Sequence, residues 1–127
     1  MQTGQYARAE AELSRLLETE SRTRERAGIF NKRGVARIEQ GRREDALPDF
    51  AAALELQPAF APALVNIGNL LLESGDVEGA IVHYEAALRS DDHYRVARLN
   101  LGVAYKKLGR HAEAVREFRR ADRARRD

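Results

Sequence analysis

Between residues 61 and 94 the apolar positions follow two helical rhythms separated by a break. Leu64, Ile67, Gly68 and Leu71 fall at i, i+3, i+4 and i+7, a spacing that predicts one face of a helix over 61–74. Glu73-Ser74-Gly75-Asp76 interrupts it. Gly75 suits the left-handed position that ends a helix, and Asp76 suits the N-cap of the next. A second stripe follows through Ala80, Tyr84, Ala87 and Leu88. Asp91-Asp92 closes this unit where Gln57-Pro58 closes the previous one, and proline cannot continue a helix. The unit is helix, tight turn, helix, short turn.

The unit recurs. Gly34, Gly68 and Gly102 stand 34 residues apart, and so do Gly41, Gly75 and Gly109. The same step links Ala46, Ala80 and Ala114, then Phe50, Tyr84 and Phe118, then Ala53, Ala87 and Ala121. A fixed period of this length marks a repeat array, in which each repeat buries its apolar face on its neighbours. The small residues predict close packing. Gly68 lies mid-helix, where glycine costs roughly 1 kcal/mol against alanine, so its recurrence implies that a neighbouring helix needs the space. Ala80 is the expected counterpart, with Tyr84 and Ala87 filling large and small holes beside it, so that the two helices cross closely and antiparallel.

These columns resemble the tetratricopeptide repeat, which has the same length and the same small-residue and aromatic positions. The resemblance covers residues 27–60, 61–94 and 95–127 as full repeats, and residues 4–18 as the second helix of a further one. Gly4, Tyr6, Ala9, Leu13 and Leu16 match that helix's turn glycine and packing stripe. The fold expected is all-α: a right-handed α-solenoid of about seven helices forming one domain over 1–127. Some positions depart from the pattern. Phe30, Leu64 and Arg98 stand at the usual tryptophan, Arg37 stands at a usual large apolar residue, and Pro48 falls inside a predicted helix. The chain starts in mid-repeat, as a fragment of a longer array or a short protein with an atypical cap would. Asp122 replaces the leucine of Leu54 and Leu88, and with Arg119, Arg120, Arg123, Arg125 and Arg126 it predicts a solvated end with no repeat beyond.

Composition narrows the function classes. The chain has no Cys, which removes disulfides, thiolate metal sites and a cysteine nucleophile. His83, His93 and His111 lack metal-ligand spacing. No serine sits in a nucleophile elbow, and the turn glycines belong to no phosphate loop. No catalytic, cofactor-binding or metal-binding residue is therefore assigned, and no small-molecule substrate is expected. No apolar run of about 18 residues exists to span a membrane, and Met1-Gln2-Thr3-Gly4 lacks the charged and apolar regions of a signal peptide. A cytoplasmic protein is the expectation. The net charge of +2 hides an asymmetry: residues 61–94 carry six acids against Arg89, and residues 95–127 carry eleven bases against four acids. Solvated helix faces account for this, and a basic end that docks an acidic partner is the sharper alternative. The basic cluster lacks interleaved aromatics and a recognised module, which argues against nucleic acid.

In the family, the first helices of successive repeats line a concave groove. On helix 61–74, Val65, Asn66, Asn69, Leu72 and Glu73 lie off the Leu64/Ile67/Leu71 stripe. Neighbouring repeats offer Asn31, Lys32, Val35, Ile38 and Glu39, and Leu99, Asn100, Val103, Lys106 and Lys107. An asparagine presents donor and acceptor together and can pair with a peptide backbone whatever its side chains. The family's lysine, asparagine and arginine clamp for chaperone C-terminal carboxylates is matched at Asn66 but not at Asn31, Val35, Val96 or Asn100. The expected peptide-binding residues are Asn31, Val35, Val65, Asn66, Asn69, Leu72, Leu99, Asn100, Val103, Lys106 and Lys107. The expected function is a non-catalytic adaptor or scaffold that holds an extended peptide or partner helix. The alternatives are a scaffold that self-assembles through the exposed half repeat, giving a homo-oligomer, and a regulatory fragment of a larger enzyme.

Overall fold

A computed structural model describes the backbone of residues 2–126 and the side chains of residues 4–123. Arg125 and Arg126, expected at the solvated end, lie outside the described side chains. Seven helices and no strands occur among the described residues: α1 (Gln2–Thr19), α2 (Thr23–Glu39), α3 (Arg43–Leu56), α4 (Ala61–Glu73), α5 (Val77–Ser90), α6 (Arg95–Lys107) and α7 (His111–Arg126). None is long and apolar enough to cross a membrane. Packing divides the chain into two compact units, Met1–Ala63 and Leu64–Asp127.

The predicted turns form as the glycines require. Gly41, Gly75 and Gly109 take φ of 78°, 96° and 78°, the left-handed region. Each closes the same helix-ending motif. In the middle copy Asp76 N–H donates to Leu71 O at 2.9 Å and Gly75 N–H donates to Leu72 O at 3.1 Å, which satisfies two carbonyls of the last turn. The Asp76 side chain then accepts from Gly79 N at 2.9 Å and caps α5. The half-repeat glycine differs. Gly4 lies in the first turn of α1 and not at a turn between helices.

The interior glycines mark aromatic contacts. A Cβ added to Gly68 would lie 2.6 Å from Tyr84 Cε1, and one on Gly34 or Gly102 would lie 2.5 Å from Cε1 of Phe50 or Phe118. The nearest neighbour of the missing Cβ is thus the ring edge and not Ala80, because the ring reaches across the crossing where the alanine methyl cannot. Ala80, Tyr84 and Ala87 are fully buried. In the first unit Ala27, Ala53 and Ala63 form a core cluster, with Phe30, Leu54, Leu56 and Phe60 against it.

Arg37, out of place in the family pattern, belongs to an ion network. Asp49 is 2 % exposed. It accepts from Arg33 Nη2 at 2.7 Å and from Arg37 Nη1 at 3.0 Å. Arg37 Nε reaches Glu10 of α1 at 2.8 Å, and Arg42 Nη1 reaches the same carboxylate at 2.7 Å. Arg33 also donates to Ser14 at 3.2 Å, and Arg26 donates to the carbonyls of Leu17 and Glu20. The half repeat is therefore fastened to α2 by charge-assisted bonds. Pro48, exposed on α3, removes one hydrogen bond without ending the helix.

Candidate functional site

The expected binding residues divide between the two units. In the first, Asn31 of α2 is half-buried and Val35 is 37 % exposed. In the second, Asn66, Asn69 and Leu72 of α4 and Leu99 and Asn100 of α6 are half-buried. Val103, Lys106 and Lys107 are exposed. Val65 is 3 % exposed and offers a ligand almost no area.

One hydrogen-bonded node organises the second unit's share. Asn100 Nδ2 donates to Asn69 Oδ1 at 2.9 Å, which ties α6 to α4. The Tyr84 hydroxyl of α5 donates to the same oxygen at 2.6 Å. Burial, reinforced by the charge of Glu73, pushes the Tyr84 phenol up to about 12, so it stays a donor throughout the neutral range. Two donors on one amide oxygen fix which way the Asn69 amide points. These two bonds do not use Asn69 Nδ2, a donor, or Asn100 Oδ1, an acceptor. Leu72 and Leu99 supply apolar area, and Lys106 and Lys107 stand in the last turn of α6. Positive charge is favoured there by the helix dipole.

Sequence reasoning singled out both asparagines and missed the Tyr84 hydroxyl that bonds to Asn69. The signal was present in two columns read together. Phe50 and Phe118 accompany Val35 and Val103, whereas the middle repeat pairs Tyr84 with Asn69. An added hydroxyl and an added amide arise in the same repeat because each satisfies the other. The acids of a second column behave alike. Asp49 and Glu117 are buried and each meets arginines, while His83 between them bonds Gly79 O through Nδ1 at 2.9 Å.

Among the described residues no cluster of three or more His, Cys, Asp or Glu is arranged to hold a metal ion. The assignable chemistry is that of a surface offering hydrogen bonds, apolar area and positive charge.

Comparison with known proteins identifies the fold. Two profiles described as tetratricopeptide repeat match the chain, one over residues 71–127 and the other over 1–59 and 31–95. The photosystem I assembly protein Ycf3 of Synechococcus sp. (strain CC9605) is 30 % identical over 112 residues, which is 86 % of this chain. The match spans 64 % of that relative's length. Among solved structures, MamA superposes with a TM-score of 0.77 at 22 % identity, over 92 % of this chain and 67 % of its own. The second tetratricopeptide domain of Spaghetti (RPAP3), solved with an HSP90 peptide, gives 0.72 at 23 % identity, over 77 % of this chain and 91 % of its own. The repeating glycine and aromatic columns, the seven helices and these matches agree: the chain belongs to the tetratricopeptide repeat family.

Proposed function

We propose that this chain is a non-catalytic protein–protein interaction module, and that the surface carrying Asn66, Asn69, Leu72, Leu99, Asn100, Val103, Lys106 and Lys107 holds an extended peptide. The observation that carries the reading is the Tyr84–Asn69–Asn100 node, whose bonds leave Asn69 Nδ2 as a donor and Asn100 Oδ1 as an acceptor for a peptide backbone. An extended segment has main-chain groups free to meet them. A helical partner has already used its own. Asn31 and Val35 hold the corresponding positions on α2. The HSP90 peptide held by the RPAP3 domain supports this use of the fold.

The test starts from peptides selected against the intact protein from a random displayed library. Replacing Asn69 and Asn100 together by alanine should weaken the selected peptides by about tenfold or more, since an unpaired buried polar group costs about 1–3 kcal/mol and about 1.4 kcal/mol is a decade. Helix content should be unchanged. Binding that survives this change but is lost with Leu13→Ala and Leu16→Ala would place the working surface on the half repeat, where Leu16 is 44 % exposed. That outcome would favour the self-assembly reading.

A further inference from the structure

A second concave surface lies within the second unit, away from the asparagine node. A cleft of about 610 Å³ runs between α5 and α7, with α6 beneath it. Its apolar lining is Leu88, Leu101 and Tyr105, the last two being buried. At about 100° per residue, Leu101 and Tyr105 sit roughly 100° and 140° round α6 from Asn100. The two surfaces are therefore separate faces of one helix.

Part of the cleft's charge is used internally. Glu117, 5 % exposed, accepts from Arg98 at 3.4 Å and from Arg120 at 3.1 Å. Arg98 also bonds Asp92 at 2.7 Å, and Glu113 is taken by Arg110 at 2.6 Å. Arg89 on the α5 wall and Arg116 on the α7 wall form no ion pair among the described residues, and both are exposed. Glu85 is the remaining lining acid without one. The lining arginines and acids balance in number, but with the other acids held by Arg98, Arg110 and Arg120 the cleft presents two guanidinium groups outside any ion pair above a small apolar floor.

We propose that this cleft is a second docking site, which takes an acidic peptide segment of another protein. A side-chain carboxylate would lie on Arg89 and Arg116 and an apolar side chain over Leu88, Leu101 and Tyr105. A guanidinium fork matches a carboxylate in a two-bond geometry and keeps its charge at all relevant pH. Small-molecule sites are mostly apolar, and the charged walls here fit a peptide better.

The experiment is an amide NMR titration of the isotope-labelled full chain with a Glu-Leu-Glu peptide, acetylated and amidated so that it has no terminal charge. Shifts are expected on the amides of Leu88, Arg89, Leu101, Tyr105 and Arg116, and not on Asn66, Asn69 or Asn100. The Gln-Leu-Gln analogue should leave these signals in place. Arg89→Ala with Arg116→Ala should weaken the peptide by about tenfold or more, since hydrogen bonds between charged groups are among the stronger ones. Arg89 supports no other side chain among the described residues, and Arg116 acts on Glu113 through space beside the Arg110 hydrogen bonds that hold it, so the variant should stay folded, with helix content unchanged. Glu85→Gln should tighten binding by removing the competing acid. No shifts, shifts centred on the asparagines, or an unchanged affinity in the double variant would overturn the proposal. So would inorganic phosphate giving the same shifts at the same concentration, which would identify a site for free anions. The asparagine variant that tests the groove leaves the cleft intact, so either reading can fail alone.

Discussion

Gly68→Ala and Gly28→Ala are the same chemical change in two helices, and the structure gives them opposite signs. Alanine is worth about 1 kcal/mol over glycine in a helix interior. At Gly28, inside α2, an added Cβ meets nothing within 4 Å. Most of that gain should appear as stability. At Gly68 the Cβ would stand 2.6 Å from Tyr84 Cε1, 3.0 Å from Cδ1 and 3.1 Å from Cζ. Carbon atoms rest about 3.5–4.0 Å apart, so the ring must move by close to an ångström. It is fully buried, and its hydroxyl is held by Asn69. Overpacking of this kind costs about 1–3 kcal/mol, and losing the hydroxyl bond costs about 1 kcal/mol more. The balance for Gly68→Ala is a net loss of roughly 1–3 kcal/mol after the helix gain. For a chain of this size, about 1 kcal/mol moves the melting midpoint by roughly 3–6 °C. Thermal unfolding followed by circular dichroism should therefore show Gly28→Ala above wild type and Gly68→Ala several degrees below it. Gly68→Leu should fall further. In a Tyr84→Phe background the penalty of Gly68→Ala should shrink, because the ring is no longer tethered. A Gly68→Ala midpoint at or above wild type would refute the tight contact and the inference drawn from the glycine column.

The ion network should show itself in two ways. Asp49→Ala leaves Arg33 and Arg37 without their buried anion, and urea unfolding should report a loss of about 3 kcal/mol, the scale on which breaking one partner of a buried pair acts; an unchanged midpoint would show that the network is idle. Glu10 has its carboxyl held down at about 2, against an ordinary 4.5, chiefly by the Arg37 hydrogen bond and then by Gln40 and Arg42, with burial opposing them. Because its folded value is depressed, its stabilisation is complete above about pH 4.5 and is lost as pH falls towards 2. The midpoint difference between wild type and Glu10→Gln should close over that window, and a difference that stays constant with pH would contradict the assignment.

The repeat, the helix boundaries and the turns were legible in the sequence because they rest on local rules. A glycine at Gly41, Gly75 or Gly109 permits a left-handed cap wherever it occurs, and helical periodicity places stripes without reference to a partner. The asparagine positions on α4 and α6 were legible for the same reason: the period aligns their registers. What the chain alone could not supply were contacts between residues far apart in sequence. The Gly68 space was read correctly as a close approach, but the atom filling it, a Tyr84 ring carbon, depends on how α5 crosses α4. Arg37 looked like a defect in an apolar stripe until Glu10 and Asp49 came within hydrogen-bond reach from two other helices. Tyr84 read as a packing aromatic, and only its distance to Asn69 made it the group that sets the amide's orientation. Val65 shared the groove's sequence register, yet folding left it buried. Local propensity and period fix which face of a helix a residue occupies, whereas the crossing of helices decides what that face meets.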